Sequence, residues 1–128
     1  MFTILPKNDP QLVASYGPQT DDTALLVYED REENVGHIVM ERRGDCFFII
    51  GLSFKDFDLS QAPTPVQRAD ADALLRAAGS YAVNRAVSVL CCDKEEYFSL
   101  LRLFGFKEID NYLALNLQDL FKVCKNCK

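Results

Sequence analysis

The chain has 128 residues, of which 48% are hydrophobic and 26% charged, the balance of a protein that buries a core rather than one that stays disordered. A net charge of −5 argues against a nucleic-acid or anionic-membrane surface, since both require a basic patch. No apolar run reaches the roughly 18 residues of a membrane span, and no basic start leads into a long apolar stretch, so neither a transmembrane helix nor a signal peptide is expected.

The five cysteines are Cys46, Cys91, Cys92, Cys124 and Cys127. An odd count, with two adjacent inside an apolar run, suits a reducing, cytoplasmic setting better than a disulfide framework. Those in strands are expected to behave as small hydrophobes. No repeat, low-complexity tract or linker divides the sequence, which reads as a single domain over 1–128.

In chain order, Phe2 to Leu5 reads as a short strand ended by Pro6. Asp9-Pro10 opens a short helix with Leu12, Val13 and Tyr16 as its apolar stripe, stopped by Gly17-Pro18. Ala24–Glu29 and Val35–Arg42 read as strands around the acidic turn Asp30 to Asn34. Cys46–Phe54 is a third strand, apolar on both faces and therefore expected to be covered on both. The tight turns between these strands make an antiparallel meander.

After a loop over Lys55 to Pro63, Thr64-Pro65-Val66-Gln67 combines a capping-box spacing with Pro at the first helical position. This helix runs to about Arg85, with Leu74, Ala77, Ala78, Tyr81 and Ala82 on one face. It supplies the crossover that Val87–Cys92 needs to pair in parallel with an earlier strand. Asp93-Lys94-Glu95-Glu96 repeats the capping logic for a helix carrying Tyr97, Phe98, Leu100, Leu101 and Phe104, with Gly105 as its left-handed stop. Phe106–Ile109 and Tyr112–Leu117 form a hairpin across Asp110-Asn111, and an amphipathic turn over Leu117 to Cys124 follows.

The order strand, short helix, three strands, long helix, strand, helix, hairpin resembles the GNAT superfamily of N-acetyltransferases. Two segments carry the likeness. Ala73-Leu74-Leu75-Arg76-Ala77-Ala78-Gly79-Ser80-Tyr81-Ala82 is similar to the central helix that follows that superfamily's pyrophosphate loop. Leu101-Arg102-Leu103-Phe104-Gly105-Phe106-Lys107-Glu108 is similar to its segment ending in Gly-Phe before the final hairpin. With the strand pattern, the likeness covers roughly Ala24 to Leu117.

The resemblance implies an α/β fold: a mixed, mostly antiparallel sheet with a central parallel pair and helices on both faces. Here it is N-terminally reduced, because residues 6–23 hold one short helix where GNAT enzymes usually carry two. It also implies acetyl-CoA as cofactor, its pyrophosphate on backbone N–H groups of a loop of the pattern Arg/Gln-x-x-Gly-x-Gly/Ala at the helix N-terminus. Aligned through Ala-Leu-Leu, that loop is Val66-Gln67-Arg68-Ala69-Asp70-Ala71. Val66 and Ala69 replace the leading Arg/Gln and the first glycine, and Asp70 and Asp72 add carboxylates, leaving Arg68 as the favourable residue. The Thr64-Pro65 start predicts that this stretch is already helical.

The resemblance further places Leu101 where a general-acid tyrosine is common and Glu95 where an asparagine is common. Tyr97, one turn earlier, is either a substitute acid or an aromatic anchor. Glu41 shares a strand face with His37 and Val39; it is a candidate general base, set against the simpler reading of a solvated face. His37, the lone histidine, is expected to be a half-exposed strand residue. Gly51 interrupts an apolar strand, so Gly51-Leu52-Ser53 is either the bulge that holds an acyl-pantetheine arm or a relief of packing. Cys124 and Cys127 have metal-ligand spacing, but too few partners for a structural zinc site, and no metal is expected.

Two functions follow. One is a divergent relative with weak or no acetyltransferase activity, acting as a ligand- or partner-binding module. The other is an acyl-CoA-dependent N-acetyltransferase acting on an amine by direct transfer. A small-molecule amine or a protein is the expected partner, and Tyr112 on the last hairpin is a candidate homodimer contact.

Overall fold

The computed structural model describes residues 2–17, 20 and 22–118. Its frame is a seven-stranded sheet. The strands are β1 (Phe2–Pro6), β2 (Thr23–Asp30), β3 (Glu33–Arg43), β4 (Cys46–Phe54), β5 (Val89–Cys92), β6 (Lys107–Ile109) and β7 (Tyr112–Asn116), in the spatial order β1-β2-β3-β4-β5-β7-β6. The helices are α1 (Pro10–Ala14), α2 (Pro65–Val83) and α3 (Phe98–Arg102), the last preceded by a 3-10 turn at Glu95–Tyr97. Every strand pairing is antiparallel except that of β4 with β5. The expected mixed sheet with one parallel pair is therefore present, the pair being β4 and the strand that follows the crossover helix. Among the described residues no helix is long and apolar enough to cross a membrane.

Local chemistry explains the element bounds. Asp9 accepts the Leu12 N–H at 3.1 Å and Pro10 opens α1. Arg31 and Glu32 take φ of 53° and 69°, forming the two-residue turn whose twist suits a hairpin. Thr64 and Gln67 close a full capping box at the start of α2. The helix stops at Val83, two residues before the expected end, because Ala86 turns left-handed at φ 60° and the Val87 N–H returns to the Ala82 carbonyl. Gly105, at φ 93°, ends the turn after α3. The cap expected from Asp93 does not form: no side chain caps the 3-10 turn, and Asp93 instead reaches Arg43 at 3.4 Å. Only residues 117 and 118 of the last expected helix fall within the described chain.

The two sheet faces bury different amounts. Against α2 and α3 lies the larger cluster, with Ile38, Met40, Ile49, Leu74, Leu75, Leu90, Leu100, Leu101 and Leu113 nearly or fully buried. The opposite face carries a smaller cluster of Val13, Leu25, Val27, Val39 and Ile50, with Leu12, Tyr16 and Phe48 packed on it. Leu101 is wholly buried, so a leucine there belongs to the core. The adjacent cysteines divide as a strand requires, with Cys92 in the α2-side cluster and Cys91 outside it. Burial pushes the Cys91 thiol up to about 12 and the Cys92 thiol up to about 11, so neither is a ready thiolate.

Candidate functional site: the fork between two parallel strands

β4 and β5 pair over three positions only, Cys46 with Val89, Phe47 with Leu90 and Phe48 with Cys91. Beyond them β4 continues on β3 to Phe54, while β5 ends at Cys92 and the chain turns toward α3. A fork opens there. A bulge marks the same place: Val39 pairs with Gly51 and Met40 with Ile49, which leaves Ile50 as the extra residue on β4. The interruption read from Gly51 thus coincides with an irregular strand at the mouth of the fork.

The protein's own side chains line this opening. At its base the Cys92 thiol lies 3.5 Å from the Ile49 carbonyl, and it accepts the Lys94 N–H at 3.4 Å. Above it, the Tyr97 hydroxyl faces the Leu52 backbone. Burial raises the Tyr97 pKa, and the Leu52 backbone opposes that rise. Tyr97 is 6% exposed, its ring packed in the larger cluster. On the opposite face the Tyr16 ring lies flat on Gly51, where an added Cβ would come within 2.7 Å of it. The Tyr16 hydroxyl meets the His37 Nε2 at 2.8 Å.

The remaining candidates are spread around this centre. Ser53 stands opposite His37 on the neighbouring strand. Glu41 holds the Arg43 Nε at 2.8 Å, so its carboxylate is ion-paired rather than freely solvated. His37 departs from its expected half exposure: it is 9% exposed because α1 brings Tyr16 over it, and burial lowers its pKa, with Asp9 opposing. Arg68 donates to the Leu103 carbonyl at 3.5 Å and lies over the Phe104 ring, tying α2 to the end of α3. Beside that strap, a cavity of about 300 Å³ runs between residues 60–63 and Ser99, Leu100 and Leu103.

At the α2 N-terminus the Gln67 N–H donates to the Thr64 hydroxyl at 3.2 Å, and the Gln67 side chain accepts the Thr64 N–H at 2.9 Å. The Arg68 N–H already makes the first helical bond to the Thr64 carbonyl, and Pro65 has no N–H. That leaves Val66 as the first-turn amide without an acceptor among the described residues. Asp70 accepts the Tyr28 hydroxyl at 3.2 Å, and Asp72 pairs with Arg76 at 3.0 Å. Among the described residues no group of three or more His, Cys, Asp or Glu side chains gathers as metal ligands; Cys124 and Cys127 lie outside them.

The Tyr16–His37 pair and the thiol at the fork were not read from the sequence. The lone histidine alternating with Val39 and Glu41 was the available signal for the first. Nothing in the sequence marks which tyrosine reaches it.

No family model and no curated protein matches the sequence. Solved structures do. The ribosomal-protein-S18-alanine N-acetyltransferase from Escherichia coli superposes with a TM-score of 0.65 at 15% identity, over 91% of this chain and 94% of that one. The aminoglycoside 6'-N-acetyltransferase from Enterococcus faecium gives 0.65 at 9% identity, over 91% and 97%. An IAA acetyltransferase from Bacillus cereus gives 0.62 at 15%, over 91% and 99%. The chain has the GNAT acetyltransferase fold.

Proposed function

We propose that this chain is a divergent GNAT-fold protein with weak or no acetyltransferase activity, acting as a ligand- or partner-binding module. The observation that carries this reading is the closed capping box at Thr64 and Gln67. A diphosphate binds a helix N-terminus through several free, converging amides and the positive end of the dipole. Here the first turn offers one such amide, and the nearest cation, Arg68, is committed to Leu103. The fork adds to this, since the buried Tyr97 and the Cys92 thiol, which faces the Ile49 carbonyl, fill it with the chain's own side chains. The residues present do not fit an acyl-CoA.

A second reading, an acyl-CoA-dependent N-acetyltransferase using direct attack by an amine, is favoured by the retained fork and the bulge at Ile50. In it Gly51, Leu52, Ser53 and Arg68 would hold acetyl-CoA. Thermal unfolding with acetyl-CoA and free CoA separates the two. A ligand at about 100 times its dissociation constant stabilises by ~2.7 kcal/mol, a displacement of several degrees. The expected result is an unchanged transition at millimolar concentrations of either compound. A saturable upward shift would overturn the binding-module reading.

A further inference from the structure

On the α1 side of the sheet, where β3 begins and β4 ends, a cleft of about 460 Å³ opens among Glu33, His37, Ser53 and Lys55. His37 and Ser53 are direct cross-strand partners, so their side chains leave the sheet on one face. The polarity of the cleft follows from the hydrogen bond beneath it. Tyr16 and His37 meet at 2.8 Å through the phenol oxygen and Nε2. A phenol is the stronger acid of the two and has no other acceptor here, so its O–H donates to Nε2 and the ring proton resides on Nδ1. No described residue accepts that proton, yet no buried side-chain nitrogen or oxygen lacks a partner. The Nδ1–H of His37 therefore opens on the cleft.

Two more donors stand beside it. The Ser53 hydroxyl has no protein partner among the described residues, and Ser53 is half-buried. The Lys55 ammonium is held only loosely by Glu33, at 3.7 Å between two exposed side chains. Neutral N–H, hydroxyl and ammonium together match a carboxylate, which accepts from several donors at once. Lys55 is offset by Glu33 and by the Asp9 carboxylate whose charge reaches His37, so a singly charged ligand suits the cleft better than a doubly charged one. Burial lowers the His37 pKa, with Asp9 opposing, which favours the uncharged ring as a directed donor rather than a charge.

We propose that this cleft binds small monocarboxylates, held by the Nδ1–H of His37, the Ser53 hydroxyl and the Lys55 ammonium. The inference deepens, and rests on, the reading of the chain as a binding module, but its residues are separate from those of the α2 N-terminus. The test is a nuclear magnetic resonance titration of the nitrogen-15-labelled full chain with sodium propanoate, against sodium chloride at equal ionic strength. The expected result is a saturable shift confined to residues 36–37 and 53–55, with the histidine ring in the Nδ1–H form. Lys55→Gln, at an exposed position, is expected to weaken binding about tenfold, the loss of one charged hydrogen bond at ~1.4 kcal/mol. An Nε2–H tautomer, a response identical with chloride, or an unchanged affinity in K55Q would overturn it. Acetyl-CoA bound at residues 66–71 would overturn the module reading alone, so the two failures are distinguishable.

Discussion

Replacing Gly36 by alanine is expected to destabilise the protein by about 2–3 kcal/mol, near the upper end of ordinary overpacking. A Cβ at this position would stand 2.6 Å from the Ser53 carbonyl oxygen and 2.8 Å from the Phe54 ring. The first of these is backbone and cannot rotate away. The ring is pinned by the core and by Phe57, whose centroid lies 5.5 Å from it. The strands must therefore separate where β3 and β4 begin their long pairing. Chemical denaturation of G36A should lower the midpoint with little change in slope. A loss below about 0.5 kcal/mol would show that β3 and β4 separate there at little cost.

Gly51→Ala is the second large effect, expected at about 1–3 kcal/mol, and it differs in having a partner that can be changed. The clashing atoms are Cγ, Cδ1 and Cδ2 of Tyr16, the part of the ring nearest its own backbone. Such atoms move only if the end of α1 shifts or if the side chain swings about χ1 and gives up its hydrogen bond to His37. Tyr16→Leu removes the ring, along with the hydrogen bond to His37. In the double variant the cost of the alanine should largely vanish, giving a coupling of about 1 kcal/mol or more by a double-mutant cycle. Strict additivity would mean that Gly51 is required by the bulge and not by the tyrosine.

Much of the fold was legible because it depends on neighbours in sequence. Cys46–Phe54 carries apolar residues on both faces between a tight turn and a loop, and β4 has those bounds. Thr64, Pro65 and Gln67 state the start of α2 within four residues, and the capping box is formed. The hairpin across Asp110 is similarly local, with Asp110 at φ 55°. The misreadings arose where a distant group competes for a local one. Asp93 looks like a helix cap, but Arg43 draws its carboxylate away, and the Lys94 N–H goes to the Cys92 sulfur.

The candidate site was less legible for the same reason. Gly51, Tyr97 and His37 could each be singled out, but their surroundings come from Tyr16, Leu52 and Cys92, on other elements. A cysteine pair in an apolar strand reads as packing, and only the fork shows that one thiol faces the Ile49 carbonyl. The helical character of residues 66–71, by contrast, followed from two letters, Thr64-Pro65, and is present.

Among the described residues the smaller cluster is roofed by a single helix of five residues, whereas the larger one is covered by a helix of 19 and by α3. A roof that short can lift in a sub-global opening while the sheet beneath stays paired. Native-state hydrogen exchange should accordingly find the α1 amides releasing their protons well before those of β3, and with less dependence on denaturant. Each such excursion would bare Gly51 and His37 to solvent, so access to that face is set by the helix's own opening equilibrium rather than by the stability of the whole molecule.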